Sequence, residues 1–344
     1  MKQFSILDFG FSIRRSKSKK AFGLALGAVL FILCSSAEAQ QPAKIPRIGV
    51  LGSVPFNQVA YRVAAFRQGL RDLGYVEGKN IVIEWRSSDG NLDRNAALAA
   101  ELLRVKVDVI VSFGSSLTRA AKAATSTVPI VMTQEPDPLG NGFVTSLARP
   151  GGNMTGLSTL APELSGKRLE ILKEVVPSLS RVAVFLGSVN RESEQVLKEM
   201  DLAASALKLR LQYLDVVSPK DFETVFKQAS KARAEAAVME VPGPVLTPNR
   251  KTALDLAVKH RLPVMYRRIP EVEAGGLMTY GVNLNDLDRR AATYVDKILK
   301  GASPADLPVE QPIKFEFIIN LKAAKQIGLT IPPNVLARAD KVIK

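Results

Sequence analysis

The sequence predicts an α/β fold with two Rossmann-like three-layer lobes, joined by a hinge that the chain crosses several times. Short β-branched runs alternate with helical stretches, which is the pattern of parallel βαβ units. The series of runs occurs twice, with matching strands roughly 130 residues apart. About 305 residues follow the first 39, more than one ordinary hydrophobic core needs. Two similar lobes follow from these observations.

The two repeats have the same order of predicted elements. In the first, strands cover residues 47–51, 81–85, 108–111 and 129–132, and amphipathic helices lie near 58–73, 93–104 and 116–124. In the second, the strands cover 181–185, 209–214, 236–239 and 263–266. Each fourth strand directly follows a helix, through Val128-Pro129 or Leu262-Pro263. The shared order predicts two lobes of the same construction.

The C-terminal part adds elements to these lobes and does not start a third. A fifth strand at 276–280 matches one at 154–157, and a helix near 285–300 precedes a last strand at 314–319. We expect the chain to cross between the lobes at 158–162, 281–284 and 306–312. The first lobe would then hold 47–157 plus 283–310, and the second 158–282 plus 311–344. Because open α/β sheets bind ligands beyond the carboxyl ends of their strands, we expect one site in the cleft between the lobes.

Residues 1–39 have the features of an export signal. A basic stretch containing Arg14 and Arg15 precedes an apolar run at 21–33, which is too short to span a bilayer. Ala37-Glu38-Ala39 has the small-x-small pattern of a cleavage site, so we expect cleavage after Ala39 and a soluble monomer in the periplasm. Two alternatives fit less well. Lipidation of Cys34 needs a small residue in place of Leu33, and a twin-arginine signal needs an apolar residue soon after the arginine pair.

Composition excludes several classes of protein. No other stretch reaches about 20 apolar residues, so no stable membrane insertion is expected. Cys34 is the only cysteine, and its removal with the signal excludes disulfides and thiol catalysis. The net charge of +14 becomes +10 without residues 1–39, which contain six bases and two acids. Because the bases are dispersed among acids along the helices, no nucleic-acid partner is expected.

We find no motif for catalysis or for a cofactor. The chain contains no GxGxxG, no P-loop and no GxSxG sequence. Its single histidine, His260, lies near the predicted end of a helix, where a positive charge is favourable. The carboxylates are scattered and lack the spacing of a calcium loop. The sequence therefore predicts a protein that is not an enzyme and that carries no metal and no cofactor.

Polar residues in loops after the strands are the candidate ligand contacts. Ser53 follows the first strand. Ser115 and Ser116 follow the third strand and open a helix, whose N–H groups can bind a carboxylate; plain helix capping is the alternative. Asp137 follows the fourth strand, where it can bind a ligand ammonium or, alternatively, cap a helix that begins at Pro138.

The second lobe provides three more candidates. Asn190 and Ser193 follow its first strand, and N-terminal helix capping is the alternative role for both. Tyr280 ends its fifth strand and can stack on a ligand or pack within the hinge. Each of these signals is weak by itself, but all seven residues are expected to face one cleft.

Three segments resemble the ABC-transporter substrate-binding family that includes tryptophan- and tyrosine-type receptors. They are FRQGLRDLGYVEGKNI at 66–81, LARPGGNMTG at 147–156 and ADLPVEQP at 305–312. The resemblance extends over essentially the whole chain after the signal. It implies a type I periplasmic-binding fold, two lobes that close on a small ligand, and the permease and ATPase of an ABC importer as partners.

The segments around the expected cleft depart from the family pattern. Gly114-Ser115-Ser116 stands where the family usually has Gly-Thr-Pro, whereas Asp137-Pro138 matches. At 186–190 only the final Asn190 of Trp-Asn-Pro-x-Asn is kept, and GPVLT at 243–247 replaces Asp-Pro-Leu-Phe-Phe. The loss of these aromatics removes surface on which an aromatic ligand would stack.

Together the residues predict a periplasmic solute-binding protein of an ABC importer, which captures a small carboxylate-bearing ligand such as an amino acid or a related acid. A receptor that reports its ligand to a membrane sensor is the alternative among binding proteins. A secreted α/β enzyme is the alternative from another class, and it would need a nucleophile–base pair or a metal cluster.

Overall fold

The computed structural model describes residues 44–187 and 194–344, and its strands form two separate sheets. The strands of the first sheet are β1 (Arg47–Gly52), β2 (Val82–Ser87), β3 (Val109–Ser112), β4 (Ile130–Glu135) and β5 (Met154–Ser158). They are parallel and lie in the order β2-β1-β3-β4-β5. β3 is buried along its whole length, as expected for a central parallel strand with helices on both faces.

Helices cover both faces of this sheet. They include α1 (Ala60–Asp72), α2 (Asn95–Arg104) and α3 (Ser115–Ala124). Phe66 and Leu70 of α1 belong to the hydrophobic cluster on one face, and the cluster on the other face contains residues of α2 and α3. Alternate residues of a strand point to opposite faces, which explains why Val111 packs in the first cluster and Ile110 in the second.

Position 156 in β5 requires glycine, because the neighbouring strand β4 approaches it closely. The φ of Gly156, +137°, lies in a region that favours glycine, and a Cβ there would lie 2.0 Å from the carbonyl oxygen of Met132. The register between β4 and β5 shifts just beyond this contact, between Met132 and Glu135. Any side chain at this position would therefore push the two strands apart.

The second sheet has seven strands. Its strands are β6 (Arg181–Leu186), β7 (Arg210–Asp215), β8 (Ala236–Glu240), β9 (Val264–Tyr266), β10 (Met278–Val282), β11 (Phe315–Asn320) and β12 (Lys341–Ile343). They lie in the order β12-β11-β10-β9-β8-β6-β7, and β11 is antiparallel to β10 while the other pairs are parallel.

Further helices follow in this part of the chain. They are α4 (Ala161–Val175), α5 (Glu194–Ala206), α6 (Asp221–Lys231), α7 (Gly243–Leu246), α8 (Arg250–Lys259), α9 (Ile269–Glu273), α10 (Leu284–Leu299), α11 (Leu321–Ile327) and α12 (Pro333–Leu336). All except α10 belong with the second sheet. Two hydrophobic clusters, one on each face, make this lobe a three-layer structure as well.

The chain passes between the two sheets three times. After β5 it enters α4, which packs on α5 and on strands of the second sheet. After β10 it enters α10, which returns to pack on α1 and β4 of the first sheet. The segment before β11 runs beside β5, where Ser158 donates a backbone hydrogen bond to Glu310 and Glu310 donates one to Gly156.

The predicted fold class, two α/β lobes with several chain crossings, is confirmed. One local expectation is wrong: no helix begins at Pro138, because residues 138–142 form turns. Gly142 has a φ of +65°, and the Asp137 carboxylate accepts a hydrogen bond from the backbone N–H of Gly140, so the chain turns there. The exact lobe boundaries stay predictions, and the signal segment lies outside the described residues.

Candidate functional site

A cavity of about 220 Å³ opens between the carboxyl ends of the two sheets. Its first wall comes from residues at or after the ends of strands β1 to β4, and its second wall from residues after β7, β8 and β9. The crossing segments contribute Thr159, Ala161, Val282 and Leu284. The position agrees with the rule that ligands of open α/β sheets bind beyond the strand carboxyl ends.

The N-terminus of α3 lies on the first wall. Ser115 and Ser116 both line the cavity, and neither caps the helix, because Gly114 is the N-cap residue and provides no side chain. The Ser115 hydroxyl instead donates to Oε1 of the buried Glu135, 3.0 Å away. The first N–H groups of a helix have no acceptor within the helix, and they carry the positive end of its dipole. This end of α3 is therefore suited to an anion.

Ser53 also lines the first wall, directly after β1. Its carbonyl oxygen accepts a hydrogen bond from the N–H of Gly90, which holds the loop after β2 against the cavity. Gly90 in turn approaches the second wall: a Cβ there would lie 3.8 Å from the carbonyl oxygen of Pro244. The two walls thus come close at this point.

Arg62 of α1 is a buried cation on the first wall. Its Nε donates to Oδ2 of Asp288 at 2.9 Å, and its guanidinium lies 4.8 Å from the ring centroid of Phe113. The side chain of Asp288 is fully buried and also accepts two hydrogen bonds from Gln134. One nitrogen of Arg62, Nη2, is buried without a hydrogen-bond partner among the described residues. Such an unused charged donor is costly unless a ligand oxygen reaches it.

Two more arginines share one buried carboxylate. Arg168 of α4 donates from Nη1 to Glu240 Oε1 at 3.2 Å and from Nε to the carbonyl oxygen of Tyr280 at 2.9 Å. Arg267, directly after β9, contacts the other oxygen of Glu240 through Nε at 3.1 Å. Both arginines line the cavity. Since one carboxylate faces two guanidinium groups, this part of the wall has a positive excess.

Arg268 completes the cationic lining. It donates from Nη2 to Glu271 Oε1 at 2.9 Å, and Arg250 approaches the same oxygen at 3.5 Å. The Arg268 guanidinium also lies against Gly243, where a Cβ would be only 3.0 Å from its Nη1. Among the described residues that line the cavity there are four arginines and neither aspartate nor glutamate.

The structure brings together three of the seven predicted ligand contacts, Ser53, Ser115 and Ser116. Asp137 is not among the lining residues, and its carboxylate accepts the Gly140 N–H within a turn. The ring of Tyr280 stacks on Phe315 at a centroid distance of 6.2 Å, as in the alternative of hinge packing. Asn190 and Ser193 lie outside the described residues. Their roles as ligand contacts stay predictions.

Sequence reasoning missed all four arginines. Arg267 and Arg268 directly follow a strand, so the rule that selected the serines would have selected them as well. Arg62 and Arg168 lie within helices, where a single arginine gives no local sign of whether it faces solvent or a cavity. The walls of the cavity combine cationic hydrogen-bond donors, hydroxyl groups and apolar side chains such as Phe113 and Leu164. The cationic donors favour the binding of an anion.

The described residues that line the cavity include no histidine, cysteine, aspartate or glutamate. His260, at the end of α8, contacts the Ser230 hydroxyl through Nδ1 at 2.8 Å and does not line the cavity. Within residues 44–187 and 194–344, no group of three or more His, Cys, Asp or Glu side chains could hold a metal ion.

A model of the family described as ABC transporter substrate binding protein matches residues 47–343. The chain belongs to this family. Members are binding proteins of transporters and not enzymes, and they typically work outside the cytoplasm. Helices of the described part are all too short or too polar to cross a membrane.

Relatives with known ligands or structures support this assignment. A tyrosine-binding protein of Clostridioides difficile is 24% identical over 338 residues, which cover 91% of this chain and 93% of that protein. A solved structure from Streptococcus pneumoniae, in complex with L-Trp, has a TM-score of 0.79 and 26% identity and covers 87% of this chain and 99% of its own. A conserved domain protein of Vibrio cholerae has a TM-score of 0.81 and 26% identity, with coverages of 87% and 100%.

Proposed function

We propose that the protein captures a small carboxylate-bearing ligand, an amino acid or a related acid, in the cavity between its lobes and delivers it to the permease and ATPase of an ABC importer. The observation that carries this proposal is the lining of the cavity, which contains four arginines and a helix N-terminus but no aspartate or glutamate among the described residues. The arginines pair with Asp288, Glu240 and Glu271, which do not line the cavity, and a ligand carboxylate would accept from donors that these pairs leave over, such as Nη2 of Arg62.

The ligand carboxylate binds at the first wall in this proposal. The N–H groups of Ser115 and Ser116 and the free Nη2 of Arg62 all belong to this wall. Hydrogen bonds that involve a charged group contribute roughly 1.5–3 kcal/mol each. Two or three of them contribute roughly 3–9 kcal/mol, and binding costs about 4 kcal/mol or more, so apolar contacts with the cavity walls must supply part of any micromolar affinity.

Two features favour an amino acid or an acid of similar size. The volume of about 220 Å³ is below the usual range of roughly 300–1,000 Å³ for pockets that hold drug-sized molecules. Two similar proteins have amino-acid ligands: one is a tyrosine-binding protein, and the other was solved in complex with L-Trp. Phe113 provides one aromatic ring at the cavity, close to Arg62.

We assign Asp137 and Tyr280 indirect roles. Asp137 holds the turn after β4 through the Gly140 N–H, and Tyr280 holds Arg168 in place through its carbonyl oxygen. Asn190 and Ser193 stay assigned as contacts from the second lobe. The three crossing segments would act as the hinge, and closure on the ligand would make the molecule more compact.

The proposal also includes the location of the protein and the cleavage of its signal segment. The receptor is exported to the periplasm, cleaved after Ala39, and acts there as a monomer without a lipid anchor at Cys34. N-terminal sequencing of protein from the periplasm tests this directly. A mature chain that starts at a lipid-modified Cys34 would contradict it.

The function is tested by mass spectrometry of small molecules released from the purified protein, followed by a thermal-shift screen of amino acids and related acids. We expect a released molecule with a carboxylate, which raises the melting temperature when added back. Release of a neutral sugar or of a polyamine, with no response to any acid, would overturn the proposal.

A further inference from the structure

The charges around the cavity do not balance. Five guanidinium groups make ion pairs there with three carboxylates, and the buried Glu135, which accepts from Ser115, is a fourth carboxylate beside the first wall. The guanidinium groups are those of Arg62, Arg168, Arg250, Arg267 and Arg268. Glu240 is shared by two of them and Glu271 by another two, so two positive charges have no carboxylate of their own in these pairs. Four of the five arginines line the cavity.

We propose that the ligand carries two acid groups, with one bound at the first wall and the other bound by Arg267 and Arg268 on the second wall. The ligand would be a small dicarboxylic acid or an acidic amino acid. This inference rests on the proposed function and narrows it, because it specifies the chemistry of the part of the ligand that faces the second lobe.

The second wall is built for a charged group. Arg267 and Arg268 are adjacent in the chain, and each side chain is 22% exposed, so both are accessible from the cavity that they line. Arg267 contacts Glu240 through Nε, and in the proposed complex its Nη groups pair with the ligand. A guanidinium edge pairs with a carboxylate through two parallel hydrogen bonds.

The second wall is chemically distinct from a site for a neutral aromatic side chain. The second-wall segment after β8 contributes Val241, Pro242, Gly243, Pro244 and Val245, and none of these has an aromatic ring. Stacking surface is therefore limited there, while two guanidinium groups stand next to it. A ligand that ends in an acid group can pair with these guanidinium groups, whereas the ring of tyrosine or tryptophan cannot.

Repulsion among the arginines points the same way. Burial lowers the pKa of Arg168, Glu240 raises it, and the positive charge of Arg267 lowers it. The second wall thus holds like charges close together, with two carboxylates shared among four guanidinium groups. A second negative group on the ligand would relieve this repulsion, and a single carboxylate at the first wall would not reach it.

Calorimetric titration with matched ligands tests the inference. L-glutamate is compared with L-glutamine, and glutarate with its monoamide, because each pair differs in one acid group at nearly constant size. L-tyrosine and L-tryptophan serve as neutral-side-chain amino acids. Succinate extends the series to a shorter diacid.

Variants at Arg267 locate the second acid group. Arg267→Gln removes the charge, and Arg267→Lys keeps it with a less suitable geometry. Glu240 keeps Arg168 as a partner in both variants. Arg210→Gln is the matched control, since Arg210 is exposed on β7, away from the cavity, and its loss lowers the net charge equally.

We expect a diacid to bind roughly ten- to a hundredfold more tightly than its monoamide. That preference should largely disappear in Arg267→Gln, persist in part in Arg267→Lys and be unchanged in Arg210→Gln. Binding of glutamine, tyrosine or tryptophan as tight as that of every diacid would overturn the second acid group and leave the proposed function intact. Failure of every acid in the series to bind would contradict both.

Discussion

The buried pair of Arg62 and Asp288 gives the sharpest prediction about stability. It joins α1 to α10, with Nε and Oδ2 2.9 Å apart, and the side chains are 10% and 0% exposed. Asp288→Asn keeps the shape of the side chain and removes its charge. Arg62 then stays buried with no carboxylate partner, and it cannot lose its proton to escape the cost.

The magnitude follows from the burial of both groups. Removal of one partner from a buried ion pair costs about 3–5 kcal/mol, because the other charge is left uncompensated. Arg62→Met combined with Asp288→Leu removes both charges and fills the space with apolar atoms. Such replacements of a whole buried pair are often neutral, but Gln134 also loses its acceptor, so the double variant should lose about 1–3 kcal/mol, less than Asp288→Asn.

Urea unfolding followed by circular dichroism measures these free energies, with intrinsic fluorescence as a second probe of whether the transition is two-state. The double variant should also bind the ligand at least about tenfold more weakly, because it lacks the Arg62 donor at the cavity. A loss below about 1 kcal/mol in Asp288→Asn, or equal losses in the single and double variants, would refute the reasoning.

Three further changes have defined outcomes. Ser115→Pro should weaken ligand binding about tenfold more than Ser115→Ala in calorimetry, because both lose the hydroxyl and only proline loses the N–H; equal losses would exclude this N–H as a donor. Gly156→Ala should lower the free energy of unfolding by about 2 kcal/mol or more, since a Cβ there would lie 2.0 Å from the Met132 oxygen, and unchanged stability in urea would contradict that contact. The pKa of Asp221 is lowered chiefly by the backbone N–H of Ser218, so its carboxylate stabilises the fold at neutral pH and loses this effect as the pH falls through the lowered pKa. Asp221→Asn should therefore be less stable than the parent at neutral pH and equal to it in acid, and a difference that persists in acid melts would count against this role.

The fold was accessible to sequence reasoning because its signals are local. The run at 109–112 has four consecutive buried residues, as a central parallel strand requires, and α3 begins where a serine pair follows that strand. The helix expected at Pro138 failed for a reason that is also local. Proline can start a helix, but Gly140 and Gly142 follow closely, and the Asp137 side chain closes a turn instead.

The site was accessible only in part. Ser53, Ser115 and Ser116 could be found because the carboxyl ends of parallel strands meet at one edge of a sheet. Arg62 could not be found in this way, because its side chain is held at the cavity by an ion pair with Asp288, which lies 226 residues further along the chain. Arg168 and Arg267 likewise share Glu240, and these three residues come from distant segments that are in contact only in the folded chain.

A crystal structure with the released ligand tests the central claim most directly, namely that a carboxylate binds at the first wall of the cavity. We predict a ligand carboxylate within hydrogen-bond distance of the N–H groups at the start of α3 and of the Arg62 guanidinium. A ligand that places an apolar or cationic group there, or that binds outside this cavity, would contradict the account.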